Sequence, residues 1–207
     1  MPAKTGRRWR PTAKTAAHAA CALPLVWLAW RGATGELGVN PIETVIRFLG
    51  LWGLRLLVVA LAVTPARRLL HRAELARFRR MLGLWAFAYV CLHLLCYVVV
   101  DQFFDWAAIG HDIVKHKFIT VGMAAFVLLV PLAATSTRGM MRRLGGVRWQ
   151  RLHRAVYLAG VCGAVHYIWM VKADIRQPLV YAAIVAVLLG LRAAWALRDR
   201  PAAVTAR

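Results

Sequence analysis

The chain has 207 residues, of which 61% are hydrophobic and 17% are charged, whereas soluble domains contain about 45–50% apolar and about 25% charged residues. It nevertheless carries 28 Lys and Arg against 8 Asp and Glu, for a formal net charge of +20. A nucleic-acid-binding protein should present its basic residues on a soluble fold, whereas here they cluster in short gaps between apolar runs. The composition therefore predicts a protein embedded in membrane lipids and argues against nucleic acid as a partner.

Six apolar runs follow one another along the chain, and each should form a helix because a backbone in lipid must satisfy its own hydrogen bonds. Since a crossing takes about 20 residues, six crossings leave no room for a separate nucleotide-binding or reductase domain. The prediction is an all-α, integral membrane six-helix bundle, in which residues 1–14 form a basic cytoplasmic N-terminus, residues 15–197 the transmembrane domain and residues 198–207 a cytoplasmic tail. The runs cover residues 15–31, 44–63, 81–100, 118–134, 152–170 and 178–197.

The first run is short and follows a basic segment that contains Arg7 and Arg8. These features are also found in cleaved signal peptides, which gives two interpretations. No small-residue cleavage site of the usual form follows the run, and five further apolar runs come after it. We therefore expect the first helix to be retained.

Basic residues are distributed unevenly between the two sides of the predicted bundle. Twenty Lys and Arg fall in the N-terminal segment, the 64–80 and 135–151 loops and the tail, whereas the opposite loops hold five. Because cytoplasmic loops carry the excess of Lys and Arg, both termini should face the cytoplasm and the 101–117 loop should lie outside. In that loop His111, Asp112 and His116 could bind a metal or a partner, although a solvated loop is the simpler interpretation.

Two histidines lie well inside apolar runs, where a polar side chain is costly and usually has a partner or a function. His93 lies 12 residues into the third run and His166 lies 14 residues into the fifth. At 1.5 Å per residue these depths are about 18 Å and about 21 Å from the same membrane face. Neutral imidazole is an axial ligand of haem iron, so the pair predicts one haem held between two helices. A histidine hydrogen-bonded to a neighbouring helix is the alternative.

A third histidine raises the question of a second haem. His153 lies 13 residues before His166, which is about 20 Å lower on a straight helix. Such a helix would, however, direct the two side chains about 140° apart. Counting back 14 residues from His93 reaches Arg79, just before the third run, whose guanidinium stays protonated and cannot ligate iron. The sequence thus predicts one haem on His93 and His166 and leaves a second haem on His153 open.

Two arginines lie in the second apolar run. Arg55 is about halfway along and requires a partner, for which a haem propionate or a quinone oxygen would be suitable. Arg47 lies nearer the end of the run and can extend its head group to the interface. His18 and His71 are expected to have no functional role. We expect the four cysteines to act as small hydrophobic residues. They are Cys21, Cys91, Cys96 and Cys162.

Two stretches of the chain resemble the MsrQ family: RRMLGLWAFAYVCLHLLCY at 79–97 and PLAATSTRGMMRRLGGVRWQRLHRAVYLAGVCGAVHYIWMVK at 131–172. The similarity extends through the second apolar run and covers roughly residues 41–195. Members of this family are haem-binding membrane subunits of the bacterial periplasmic methionine sulfoxide reductase system. They belong to the ferric-reductase-like transmembrane group, which also includes the NADPH oxidases.

The resemblance implies that His93, His153 and His166 match the haem histidines of the family, while Arg79 or its neighbour replaces the inner histidine that the wider group has in span three. It also implies haem b and FMN as cofactors and a multi-pass location in the bacterial inner membrane. Electrons would come from the quinone pool or a cytoplasmic flavin reductase and would pass to a periplasmic molybdopterin enzyme, MsrP. That partner would carry out the sulfoxide chemistry. The basic 135–151 loop could hold the FMN phosphate.

Two other functions stay open on the sequence alone. The chain could be the core of a ferric reductase or a superoxide-producing oxidase, although it has no room for an FAD or NADPH domain. It could also be a membrane scaffold or transporter without a cofactor, in which neighbouring helices satisfy the membrane histidines.

Overall fold

A computed structural model describes residues 11–199, within which the chain forms nine α-helices and no strands. The basic residues of segment 1–10 and the tail residues 200–207 lie outside the described residues. A single 3₁₀ turn, Ala73–Leu75, precedes the third helix, and a π-helical segment, Cys96–Asp101, follows it directly. The helices are α1 Pro11–Ala33, α2 Pro41–Leu69, α3 Ala76–Leu95, α4 Trp106–Lys115, α5 Lys117–Ala134, α6 Arg138–Leu144, α7 Gly146–His153, α8 Ala155–Met170 and α9 Arg176–Arg198.

Four helical stretches of the described residues are long and apolar enough to cross a membrane. They correspond to the second, third, fourth and sixth predicted runs, and they confirm an all-α membrane protein. The first predicted run lies within α1, which has 23 residues. The stretches are Pro41–Leu69, Ala73–Asp101, Lys117–Ala134 and Arg176–Arg198.

The fifth predicted run corresponds to α8, which begins at Ala155 rather than at Leu152 and is preceded by a separate helix, α7. The chain breaks at Arg154, between α7 and α8. Two short-range hydrogen bonds tighten the backbone here, from Arg154 N to Arg151 O at 3.2 Å and from Tyr157 N to Arg154 O at 3.0 Å. These hydrogen bonds form a 3₁₀-type turn that separates the two helices without proline or glycine.

The core of the bundle consists mainly of two helix pairs, α2 with α3 and α5 with α8, while α9 packs beside α8 and α2. Tyr89 of α3 is fully buried and Leu61 of α2 is 2% exposed. Small residues allow close approach of the helices, as Gly160 does against the side chain of Leu61. This arrangement brings the end of α3 close to the second half of α8, where His93 and His166 meet.

Helix α1 is attached to α3 by two hydrogen bonds. The buried hydroxyl of Tyr89 donates to the carbonyl oxygen of Cys21 at 2.8 Å, and the indole nitrogen of Trp85 donates to Nδ1 of His18 at 2.9 Å. Cys21 is itself buried against α3. His18 therefore has a partner in the protein.

The predicted 101–117 loop contains a helix, α4, which the sequence analysis did not anticipate. The Asp105 side chain caps it by accepting from the backbone of Ala108 at 2.9 Å. Within α4, Asp112 accepts from the Tyr97 hydroxyl at 3.0 Å, and its other oxygen lies 3.3 Å from Nδ1 of His116. These contacts connect α4 to the π-helical segment after α3 and to the residue that precedes α5.

Candidate functional site

His93, in the last turn of α3, and His166, in the second half of α8, are brought into contact at the centre of the bundle. Their ring centroids are 6.2 Å apart and their planes are inclined by 79°. A metal–imidazole bond is about 2 Å long, so two imidazoles on opposite sides of one metal atom have centroids roughly 6 Å apart. The separation of this histidine pair therefore suits a single shared metal.

Hydrogen bonds determine which nitrogen of each ring is available. Nδ1 of His93 donates to the carbonyl oxygen of Ile46 on α2 at 2.9 Å. Nδ1 of His166 donates in the same way to the carbonyl oxygen of Phe118 on α5 at 2.7 Å. Because a carbonyl can only accept, Nδ1 carries the proton and neutral Nε2 keeps its lone pair. Each ring is thus prepared to ligate a metal through Nε2.

The histidine pair fits a haem better than a metal held by the protein alone. In the part of the chain that the structure describes, no three His, Cys, Asp or Glu side chains come together as a metal-binding group. Two imidazoles leave most coordination positions of iron unfilled, and a porphyrin supplies four further nitrogens in the plane between them. Both histidines are half-buried among apolar helices, an environment that suits the apolar faces of a porphyrin.

His153, the third candidate ligand, makes no ring contact with either histidine of the pair. Its ring stacks on Trp149, with centroids 3.8 Å apart, and its Nδ1 lies 3.0 Å from the Trp149 carbonyl oxygen. Its Nε2 is buried and has no hydrogen-bond partner among residues 11–199. The carbonyl of Leu132 is a second backbone group near this ring.

Arg79 lies near His153, close enough for their charges to interact. It also lines a cavity of about 100 Å³ at the junction of α2 and α3, together with Thr64 and Arg67. The structure thus places a cation here, suited to a carboxylate or a phosphate rather than to iron.

Arg55 has protein partners, which the sequence analysis did not identify. Its Nε donates to the Tyr181 hydroxyl on α9 at 2.8 Å, and its guanidinium lies 4.9 Å from the centroid of the Trp52 ring. Tyr181 in turn contacts the ring of Tyr167, the residue after His166. A polar residue at mid-helix thus signalled the need for a partner, but nothing in the sequence pointed to Tyr181.

The remaining candidates have ordinary surroundings. Arg47 forms an ion pair with Glu43 one turn earlier on α2. His71 and His111 are exposed. The sequence analysis did not identify the backbone carbonyls of Ile46 and Phe118 as hydrogen-bond acceptors. Every residue has such a carbonyl, so the residue type does not show which one is used.

Comparison with known proteins gives a consistent family assignment. Residues 49–164 match the sequence model described as ferric reductase like transmembrane component. The chain is 58% identical over 187 residues to the "Protein-methionine-sulfoxide reductase heme-binding subunit MsrQ" of Rhodospirillum rubrum, covering 90% of both chains. Identity to the protein of the same name from Caulobacter vibrioides is 58% over 170 residues, which is 82% of this chain and 81% of that one. Identity to the Ralstonia nicotianae protein of the same name is 53% over 178 residues, which is 85% of this chain and 82% of that one. The chain therefore belongs to the MsrQ family of ferric-reductase-like transmembrane proteins.

Proposed function

We propose that the chain binds one haem b between His93 and His166 and carries electrons across the membrane as the haem-binding subunit of a methionine sulfoxide reductase system. The observation that carries the proposal is the 6.2 Å separation of two imidazole rings whose Nδ1 atoms both donate to helix carbonyls. The names of the relatives, which describe heme-binding subunits, support the same function.

The two histidines would determine what kind of redox chemistry is possible. A bound haem supplies a one-electron ferric–ferrous couple. His93 and His166 would both hold the iron, which favours electron transfer over oxygen binding. Their Nδ1–carbonyl hydrogen bonds increase the basicity of Nε2. The apolar helices around the pair would limit the access of water to the metal, which is a further influence on its potential.

The proposed direction of transfer follows from the charges of the chain. Since cytoplasmic segments are rich in Lys and Arg, the end of the bundle that carries both termini would face the cytoplasm, in a bacterial inner membrane. Electrons would enter there from the quinone pool or a cytoplasmic flavin reductase. They would leave on the side of α4 for a periplasmic molybdopterin enzyme, MsrP, which would reduce oxidised methionines in exported proteins.

The region around His153 and Arg79 would hold any further cofactor. The buried Nε2 of His153 is the observation in favour of a second haem, which His153 would hold and whose propionates Arg79 would bind. The phosphate of FMN would suit the cavity of about 100 Å³ lined by Thr64, Arg67 and Arg79, because guanidinium groups bind phosphate well. We propose one haem per chain as the basic state.

An optical spectrum of the detergent-purified protein tests the haem proposal. We expect the reduced bands of haem b in the wild type and their loss in His93→Ala and in His166→Ala, because either change removes an axial ligand. His71→Ala, at an exposed position, serves as the control and should keep the spectrum. A colourless wild-type protein would support the cofactor-free scaffold instead.

Haem stoichiometry separates one haem from two. The pyridine haemochrome assay should give one haem per wild-type chain, and His153→Ala should leave that value unchanged. Two haems in the wild type and one in His153→Ala would instead support the inner haem.

The choice of electron acceptor separates the proposal from a ferric reductase or an oxidase. Chemically reduced protein should be reoxidised faster by purified MsrP than by chelated ferric iron. Rapid reoxidation by oxygen with release of superoxide would favour the oxidase. A gene for a molybdopterin oxidoreductase next to the gene for this chain would support the main proposal.

A further inference from the structure

Each histidine of the pair packs against a glycine of the neighbouring helix. A Cβ added at Gly122 of α5 would lie 2.7 Å from Nδ1 of His166 and 3.0 Å from its Cε1. A Cβ added at Gly50 of α2 would lie 3.0 Å from Nδ1 of His93 and 3.1 Å from its Cε1. No side chain fits at Gly122 without displacing the imidazole, and the neighbours of Gly50 would have to shift by a few tenths of an ångström.

Each glycine lies at the same spacing, four residues, from the carbonyl that accepts a hydrogen bond from its histidine. Ile46 lies four residues before Gly50, and Phe118 lies four residues before Gly122. In an α-helix the carbonyl of residue i−4 points along the axis toward residue i, where it already accepts from the backbone N–H. A side chain at residue i would cover the second lone pair of that oxygen. Glycine leaves it open to a donor from another helix.

From this geometry we infer that Gly50 and Gly122 are positioning residues for the two axial histidines, an inference that rests on the haem proposal. The missing Cβ allows each imidazole to reach the carbonyl one turn earlier and to donate from Nδ1. That hydrogen bond sets the tautomer, leaves Nε2 as the nitrogen available to the metal and restrains the ring plane. The site is thus built twice in the same way, from α2 with α3 and from α5 with α8.

Other glycines of the described helices show that this contact is specific to the histidine pair. Gly53 faces the Val90 side chain, and Gly160 faces the Leu61 side chain, so both serve ordinary helix packing. A Cβ at Gly83 would meet no atom within 4 Å. Since glycine destabilises a helix interior relative to alanine, its presence against both imidazoles calls for a reason beyond helix formation.

The hydrogen bonds have a redox consequence that a purely structural role would not produce. An Nδ1–H donated to a carbonyl makes Nε2 a stronger electron-pair donor to iron. A stronger ligand of this kind stabilises ferric more than ferrous iron. Weakening the bond should therefore raise the midpoint potential. It should also change the angle between the imidazole planes, now 79°, and this angle influences the g-anisotropy of a low-spin ferric haem.

The test compares Gly50→Ala and Gly122→Ala in the full-length, haem-loaded protein. Haem per chain, midpoint potential and the low-temperature EPR spectrum are measured for each. Gly122→Ala, with the closer contact, should lose most of its haem or show a raised potential and altered g-values. Gly50→Ala should bind haem and show the smaller shift in the same direction.

Two glycine-to-alanine variants are the controls. Gly83→Ala lies on the same helix as His93 and should match the wild type in all three measurements. Gly53→Ala disturbs α2 packing against Val90 without touching an imidazole, so it should lower thermal stability and leave the potential unchanged. Gly50→Ala keeps the test valid even where Gly122→Ala does not fold.

The outcomes distinguish this inference from the proposed function. If the wild type binds haem through His93 and His166 while both glycine variants keep the wild-type potential and EPR spectrum, the inference is wrong and the proposed function stands. If the potential of Gly53→Ala shifts as much as that of Gly50→Ala, the effect is general packing and the inference is also wrong. A wild type without haem contradicts the proposed function itself.

Discussion

At the scale of single residues, the histidine pair differs from the other described histidines in what holds its Nδ1 atoms. His93 and His166 donate to carbonyls of other helices, whereas Nδ1 of His153 contacts the carbonyl of Trp149 in its own helix. A bond within one helix forms wherever that helix forms. A bond between helices forms only when the bundle is assembled, so the orientation of the pair depends on the tertiary structure.

The hydrogen bond between Arg55 and Tyr181 leads to a stability prediction. Tyr181→Phe removes the acceptor of a half-buried charged donor, a change that costs about 1.5–3 kcal/mol. Thermal unfolding in detergent, followed by far-UV circular dichroism, should show a lowered midpoint for this variant, while haem content stays at the wild-type value.

Tyr167→Phe is the matched control for this prediction, because the Tyr167 hydroxyl donates to neutral Gln177 at an exposed position. Its unfolding midpoint should fall less than that of Tyr181→Phe. Equal midpoints for the two variants would show that Tyr181 contributes nothing particular to holding Arg55. Loss of haem in Tyr181→Phe alone would instead connect Arg55 to the cofactor.

The sequence indicated which polar residues lie inside apolar helices, but it did not indicate which residues they contact. The depths of His93 and His166 could be predicted because helical rise is constant and both runs begin at the same predicted membrane face. The need of Arg55 for a partner followed from the cost of a charge in an apolar helix. The partner itself, Tyr181, comes from a helix more than a hundred residues later, and no local pattern connects the two.

At the scale of helices, the break between α7 and α8 changes the argument about His153. On a straight helix the side chains of His153 and His166 would point about 140° apart. The 3₁₀-type turn at Arg154 interrupts the helix between them, so this angle no longer applies. Gly160 and Gly163 are the residues between the two histidines that could most easily allow an irregular helix, yet both lie within continuous α8. A break without proline or glycine leaves no pattern that the sequence analysis could detect.

The attachment of α1 to α3 favours a retained first helix. A signal peptide is removed from the mature protein, whereas here Cys21 is buried and its carbonyl accepts from the fully buried Tyr89. We expect the intact mass of protein purified through a C-terminal tag to include residues 11–33. A mature N-terminus after residue 33 would contradict this expectation.

The contribution of α1 can be measured separately through Tyr89. Tyr89→Phe keeps the ring packing and removes one hydrogen bond, which should lower the free energy of unfolding by about 1 kcal/mol. Chemical denaturation in detergent measures the difference from the wild type. An unchanged free energy of unfolding would mean that the ring alone, without the hydroxyl, holds α1 in place.

At the scale of the whole molecule, one ion pair relates the ends of two distant helices. Arg68, at the end of α2, contacts Asp199, just after α9, at 2.9 Å. The two helices therefore end on the same side of the bundle. Arg67 and Arg198 also lie at these ends. Helix α3 starts on this side and leads away from it, and Lys115 and Lys117 come after its C-terminal end. The uneven charge found in the sequence is thus also uneven in space.

The orientation of the bundle yields the last prediction. Because the side richer in Lys and Arg stays in the cytoplasm, a fluorescent protein fused after Arg207 should fluoresce, and alkaline phosphatase fused there should be inactive. Alkaline phosphatase fused after Phe104, between the π-helical segment and α4, should be active, because only exported phosphatase folds with its disulfides. Fusions of both reporters at both positions provide the controls, since each position should activate one reporter alone. The reverse pattern would place α4 in the cytoplasm, and electrons leaving on the side of α4 could then not reach a periplasmic acceptor.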